Sequence, residues 1–358
     1  MYNGFHKDLI GFVIVLFLNL AFVHAQNADF SDPEFKSKLE ILLQNQNVPT
    51  AAIGLIENNK IVATEVFGLG DSIDNAPSEL LFSVASLTKP VSMMLTLVLA
   101  SNNMWNLDEP LANYWVDPDL IDDSLLRKLT GRLLLSHQGG FTNWRSMNAD
   151  GKLRFETEPG SSFRYSGEGF EYLRHTMERK FREPFDQLAN SYLFKPLKMD
   201  HSFLRWPDQL DTTRYAGRFD QNGEKYPFEK ITEVNAAASL ITTIQDYTNF
   251  ALACLKGQGI SNKLNKQIHT PQIMVPQAKD VGVGLSWIVV QNLTGGEYAL
   301  MHSGSDPGIK TFVILLPKSQ RGLVIFTNGD NGQMVYEQIL KELFDVGDEI
   351  LKRIGEST

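Results

Sequence analysis

Hydrophobic and polar positions change rhythm three times along the chain. Residues 49–69, PTAAIGLIENNKIVATEVFGL, hold two runs rich in β-branched residues on either side of Asn58-Asn59, a pair that tolerates a left-handed turn. The pattern predicts a β-hairpin. From Ser86 to about residue 260 the period becomes helical, most clearly over 87–101, 167–182, 184–195 and 244–256, with long irregular stretches between. The last hundred residues return to strands. VGLSWIVV (283–290) and EYALMHSG (297–304) flank Gly295-Gly296, and KTFVILLP (310–317) and GLVIFTNG (322–329) flank a turn at 317–321, so both pairs read as antiparallel hairpins. The final segment, 334–354, puts Val335, Ile339, Leu340, Leu343 and Phe344 on one helical stripe with charges opposite.

Strands at both chain ends and helices in the middle predict an α+β fold. One antiparallel sheet is built from both termini and flanked by helices, with an inserted, mainly helical lobe. The α/β lobe takes residues of about 26–85 and 260–358, the helical lobe about 86–259, and the cleft between them is the expected site.

The 358 residues are 43% hydrophobic and 21% charged, an ordinary globular composition. A formal charge of −9 argues against a nucleic acid or an anionic membrane surface as partner. The N-terminus reads differently from the rest. Lys7 precedes an apolar stretch from Leu9 to Val23, and VHA at 23–25 fits cleavage after Ala25. That stretch is shorter than the roughly 20 residues of a membrane span, so residues 1–25 are expected to be a signal peptide and the mature chain, 26–358, an exported periplasmic or secreted single domain without a membrane span. The lone cysteine, Cys254, lies in a helix-like apolar run and reads as a packed small residue.

Three short stretches carry chemistry. In SVASLTKPVS (83–92), Ser86 and Lys89 lie one turn apart at a predicted helix start, and Pro90 fits only in or beside a first turn. A lysine buried there would have its pKa lowered by desolvation, and a neutral amine can take a proton from a serine. An isolated S-x-x-K pair, however, arises by chance about once in a chain of this size. In EPGSSFRYSGEGFEYLRH, Tyr165 stands just before a helix opening at Gly167. A tyrosine near a lysine cation loses its proton more easily and can serve as a general base; an aromatic before a helix is ordinarily a core or staple residue. In MHSGSDPGIKTF, His302, Ser303 and Gly304 end one strand and Gly308 marks the turn to the next, with glycine letting a ligand approach the strand backbone. No His/Asp/Glu spacing suggests a metal, and no cofactor motif is present.

Taken together, SLTK, YSG and HSG, in this order and at long spacings, resemble the three motifs of the serine β-lactamase and penicillin-binding protein superfamily: S-x-x-K, Y-x-N, and K-T-G or H-x-G. The likeness is to the class C-related branch of esterases, D-aminopeptidases and D-Ala-D-Ala carboxypeptidases. It extends to LLLSHQGGF (133–141), LFKPLKMDHSF (193–203) and AAASLITTIQDYTNF (236–250), nearly the whole mature chain. The resemblance implies that Ser86 is the acylated nucleophile, that Lys89 and Tyr165 form the proton-transfer pair, with the base being either, and that the backbone N–H groups of Ser86 and Ser305 form an oxyanion hole. His302, Ser303, Gly304, Ser305 and Gly167 would line the substrate site, and His137 would be structural.

Two positions depart from that pattern. Gly167 replaces an asparagine whose amide, in the family, contacts the substrate's acylamide carbonyl and the lysine. His302 replaces the lysine that holds a substrate carboxylate, and histidine is mostly neutral at pH 7. Lys310 is a candidate replacement cation. The expected function is an exported serine acyl-hydrolase acting on a small ester or amide. The alternatives are a β-lactamase, D-Ala-D-Ala carboxypeptidase or D-aminopeptidase proper, and, in another class, a non-catalytic penicillin-binding or sensing module.

Overall fold

Asn58 and Asn59 both take left-handed backbone conformations, φ 50° and 59°, and turn the chain between β1 (Thr50–Glu57) and β2 (Lys60–Gly68). The computed structural model describes residues 30, 32–68, 79–276 and 278–355. The expected signal peptide, 1–25, lies outside the described residues. Helix α1 (Pro33–Asn45) precedes the hairpin; Asp32 caps it by accepting from Glu34 N, and Pro33 opens its first turn.

The antiparallel strands from the far end of the chain are β5 (Ile273–Met274), β6 (Val281–Val283), β7 (Ile288–Val290), β8 (Ala299–Asp306), β9 (Ile309–Leu316) and β10 (Arg321–Thr327). They join the hairpin in an eight-stranded sheet of order β2-β1-β10-β9-β8-β7-β6-β5. The seam is β1 against β10, with Ala51 opposite Thr327 and Ile56 opposite Gly322. The two chain ends are therefore one sheet, as the strand pattern predicts.

Alternation along the strands feeds two cores. Ile53 and Leu55 of β1, with Leu323 and Ile325 of β10, pack toward α1, α9 (Gly332–Leu343) and α10 (Gly347–Gly355). Ala52 and Ile56, with Val324 and Phe326, pack into a larger core with the central helices. These are α2 (Thr88–Ser101), α3 (Gly131–Leu135), α4 (Gly167–Phe181), α5 (Phe185–Ala189), α6 (Lys195–Leu197), α7 (Ile244–Lys256) and α8 (Asn262–Ile268). A two-stranded ladder, β3 (Phe82–Ser83) with β4 (Ile241–Thr242), ties the chain just before α2 to the chain just before α7. Helix α2 is buried from Thr88 through Leu99, on all sides, as expected of a helix apolar all round. Among the described residues no helix is long and apolar enough to cross a membrane.

Four elements differ from the pattern reading. Residues 283–290 are not one strand: β6 and β7 pair with each other, and the turn between them is closed by Ser286 at φ 65°. The apolar stripe at 334–354 is split into α9 and α10, because Phe344 is extended and Gly347 lies so close to the end of α9 that a Cβ there would stand 2.6 Å from Leu340 O. The helix expected over 184–195 contains a π-turn, Asn190–Phe194. Helix α7, expected in the helical lobe, packs across β10, β2 and β1 instead.

That last contact requires a glycine. A Cβ on Gly54, in the middle of β1, would lie 1.9 Å from Thr248 Oγ1 of α7, whose hydroxyl is already fixed on Ile244 O at 2.7 Å. Gly54→Ala should therefore lower stability by about 1–3 kcal/mol, the usual effect of overpacking, as read from denaturant midpoints. A change under about 0.5 kcal/mol would mean that helix and sheet separate easily.

Candidate active site

Ser86 sits in a single 3₁₀ turn, Ala85–Leu87, that runs directly into α2. The turn begins with Ala85 at φ 47°, a conformation that strains an L-residue by about 1–3 kcal/mol and persists only where the surroundings enforce it. Here they do. Thr88 Oγ1 donates to Ala85 O at 2.7 Å and accepts from Leu240 N at 3.0 Å. Val84 N donates to Leu240 O, and Thr311 Oγ1 of β9 donates to Val84 O at 2.9 Å.

Lys89 lies one turn further on and is fully buried. Its Nζ is 2.9 Å from Ser86 Oγ and donates to Ala237 O at 3.1 Å. Among the described residues no carboxylate forms an ion pair with it. Burial alone pulls its pKa down to about 7, so near neutral pH a large share of the amine is uncharged and able to accept a proton at hydrogen-bond distance from Ser86 Oγ.

Tyr165 reaches the same oxygen from the turn before α4. Ser166 caps that helix through Gly169 N, and Tyr165 hydrogen-bonds Ser86 with its phenol. Its ring lies 4.8 Å from Lys89 Nζ and 4.4 Å from the His137 ring. The pattern reading has the lysine charge easing the phenol proton off. Desolvation acts the other way: it pushes the phenol up to about 12 against the opposing pull of the Ser86 contact, although Tyr165 keeps 36% of its surface exposed. The geometry thus brings together a depressed amine, a hydroxyl and a phenol that keeps its proton. His137, expected to be structural, supports this turn directly: its Nδ1 accepts from Ser166 N at 3.2 Å and its backbone O from Arg164 N.

The opposite wall is β8. A Cβ on Gly304 would stand 2.3 Å from Val84 O and 3.2 Å from Ser86 N, so the strand can run against the Ser86 turn only with glycine there. Strand β7 pairs with β8 only at Ala299–Met301. Among the described residues, 302–306 therefore have a strand neighbour on the β9 side alone. The Pro307-Gly308 turn closes on the pair Asp306–Ile309, and antiparallel alternation then directs the backbone groups of Ser303 and Ser305 to the free edge. Their side chains are exposed on the face away from Gly304, where Lys310 Nζ donates to Ser305 Oγ at 2.8 Å. Ser303 and Ser305 thus offer backbone, not hydroxyls, and Lys310 stands on the Ser305 face instead of the Ser86 face.

His302 is buried, with Nδ1 donating to Ser303 O at 2.8 Å. Burial and the nearby Lys89 hold it down to about 3, so it is neutral at any working pH. Gly167, expected against substrate, is buried under the indole of Trp144. Its N–H is already taken by Asn143 Oδ1 at 2.8 Å. Trp144, Asn143, Thr311 and the Ala237 carbonyl carry no motif of their own, and only long-range contacts reveal them. Among the described residues no three metal-ligating side chains gather.

Known proteins supply the frame for this geometry. A sequence profile of the beta-lactamase family matches residues 35–345. Protein flp of Staphylococcus aureus (strain MW2) is 22% identical over 327 residues, which is 83% of this chain and 63% of that protein, so the chain spans less than two thirds of this relative. A beta-lactamase of Yersinia enterocolitica is 22% identical over 283 residues, 75% of this chain and 72% of its own. Two solved structures share the fold at 18% identity. The octameric penicillin-binding protein homologue from Pyrococcus abyssi superposes with a TM-score of 0.72 over 87% of this chain and 78% of its own. D-alanine carboxypeptidase AmpC from Burkholderia cenocepacia superposes with a TM-score of 0.71 over 87% and 99%. With the profile covering nearly all of the described chain, the protein belongs to the beta-lactamase family.

Proposed function

We propose that the chain is an exported serine acyl-hydrolase that cleaves small esters, and less readily amides, through an acyl-enzyme on Ser86. The observation that carries this reading is the fully buried, carboxylate-free Lys89 amine 2.9 Å from Ser86 Oγ. In the proposed mechanism, neutral Lys89 takes the Ser86 proton as Oγ attacks the carbonyl carbon. The tetrahedral oxyanion accepts from the backbone N–H groups of Ser86 and Ser305, donors of a kind worth a few kcal/mol in acyl transfer. Tyr165, protonated at neutral pH, passes its proton to the departing alkoxide and is reprotonated from Lys89. Water then cleaves the acyl-enzyme by the same path in reverse.

The names of relatives include a beta-lactamase and a D-alanine carboxypeptidase. Substrates of both kinds bring a carboxylate, and the position where such a substrate would look for a cation holds neutral His302. Esters without a carboxylate fit this wall better. A module that only bound its ligand, without acylation, would have no use for an amine held near pKa 7 against a hydroxyl.

The direct test is turnover of a panel of p-nitrophenyl esters, D-aminoacyl p-nitroanilides and a chromogenic cephalosporin, with Ser86→Ala as control. Short-chain esters should be hydrolysed with the highest kcat/KM, and Ser86→Ala should hydrolyse none above background. Lys89→Met should slow acylation by about 10²–10⁴-fold; a rate within about threefold of wild type would reduce Lys89 to packing. The pH profile follows from the depressed amine. The reactive form is the neutral one, present above its pKa of about 7, so kcat/KM should fall as pH drops through about 7 and level off above it.

His302→Lys should restore a cation to the wall. A charge-assisted hydrogen bond contributes about 1.5–3 kcal/mol, and about 1.4 kcal/mol is tenfold. Carboxylate-bearing substrates should therefore improve about tenfold or more at neutral pH relative to uncharged esters. A wild type that already prefers benzylpenicillin to p-nitrophenyl acetate would contradict the ester reading.

A further inference from the structure

We infer that Trp144 selects the acyl group, admitting apolar alkyl or aryl acyl chains and rejecting those that carry an amide beside the scissile carbonyl. The inference rests on the acyl-hydrolase reading and adds its substrate class. A Cβ built on Gly167 would lie 2.5, 2.7 and 2.8 Å from Cη2, Cζ2 and Cζ3 of Trp144. All three are ring carbons. No side chain fits at 167 while the indole is there, so the glycine and the tryptophan are one device: the ring edge stands where a residue-167 side chain would have projected. That place opens α4 two residues after Tyr165, on the turn that brings the phenol to the Ser86 hydroxyl.

The ring is held there by a strap, not left loose. Ser166 Oγ donates to Thr142 O at 2.7 Å, and Thr142 Oγ1 to Trp144 O at 3.2 Å. Asn143 receives Gly167 N on its side chain at 2.8 Å and Glu168 N on its carbonyl at 2.9 Å. Arg145, next in the chain, donates its backbone N–H to Glu168 Oε1 at 2.9 Å. Its guanidinium joins Glu168 at 3.0 Å and the buried Asp117 at 2.8 Å. Four consecutive residues of one loop, Thr142 to Arg145, are thereby locked onto the turn that presents Tyr165, and the indole sits among them, partly exposed.

The chemistry of discrimination follows. An amide adjoining the scissile carbonyl must give up its water partners when it docks, and against ring carbon it finds no replacement. An alkyl or aryl chain in the same place loses nothing polar and gains contact. Leaving one polar group without a partner lowers affinity by about tenfold or more.

The test uses p-nitrophenyl pentanoate and p-nitrophenyl N-acetylglycinate, which share a leaving group and an acyl chain of equal length. The readout is the ratio of their kcat/KM values, from which any general loss of activity cancels. Trp144→Ala should lower the pentanoate-to-acetylglycinate ratio by about tenfold or more. Trp144→Gln, which keeps bulk over Gly167 while replacing carbon by an amide, should lower it as well and serves if the alanine variant does not fold. Adding Gly167→Asn to Trp144→Ala should raise turnover of the acetylglycinate further. A ratio within about threefold of wild type in the folded variant overturns the inference while leaving the hydrolase reading intact. A wild type that turns over neither ester, with Ser86→Ala as the blank, overturns both.

Discussion

An amine buried beside a hydroxyl, with no carboxylate to hold its charge, is the constraint on which the rest of this site depends. Water would hold Lys89 charged; the core around α2 does not, and draws its pKa down to about 7. Adding an acidic partner would raise the amine again and remove its use as a base. The neighbours of Lys89 are accordingly uncharged: the Ala237 carbonyl, the Tyr165 and Phe170 rings, and His302 held neutral by the same burial. The depressed amine and the raised phenol are two results of one cause, desolvation, acting on groups of opposite charge type. It leaves the nitrogen as acceptor and the phenol as donor on either side of one oxygen.

The fold holds that arrangement by joining distant parts of the chain. The strained turn at Ala85 is fixed by the chain before α7 through Leu240 and by β9 through Thr311. Strand β8 closes on it only because Gly304 has no side chain. The β1–β10 seam brings the two halves of the sheet together, so the wall that carries His302 and the turn that carries Ser86 belong to one continuous body. A loop in the helical region lays the Trp144 indole where a side chain at 167 would stand.

Legibility in the sequence followed locality. Helices α2, α4 and α7 were readable because apolar residues recur at helical spacing, and the first hairpin because Asn58-Asn59 announces its turn. Ser86, Lys89, Tyr165 and His302 were readable because each stands in a short motif beside a predicted element. The β6–β7 turn was not, since Ser286 gives no turn signal inside the apolar run 283–290. The break between α9 and α10 was marked only by Gly347. Helix α1 did carry a signal, Asp32-Pro33 at its start, that the apolar pattern alone passes over. The direction of the tyrosine shift required burial, which no motif reports. Trp144, Thr311 and the Ala237 carbonyl enter the site through contacts between remote segments and are invisible one stretch at a time.

The central claim is that Lys89 loses its proton near neutral pH. Proton-coupled shifts of the ε-carbon in protein labelled with ¹³C-lysine report this directly, with the resonance assigned by its loss in Lys89→Met. The account predicts one lysine titrating near pH 7, about three units below the roughly 10.4 of exposed lysines. A Lys89 resonance that moves with the surface lysines, above about pH 10, would contradict it, because a permanently charged amine cannot accept the Ser86 proton.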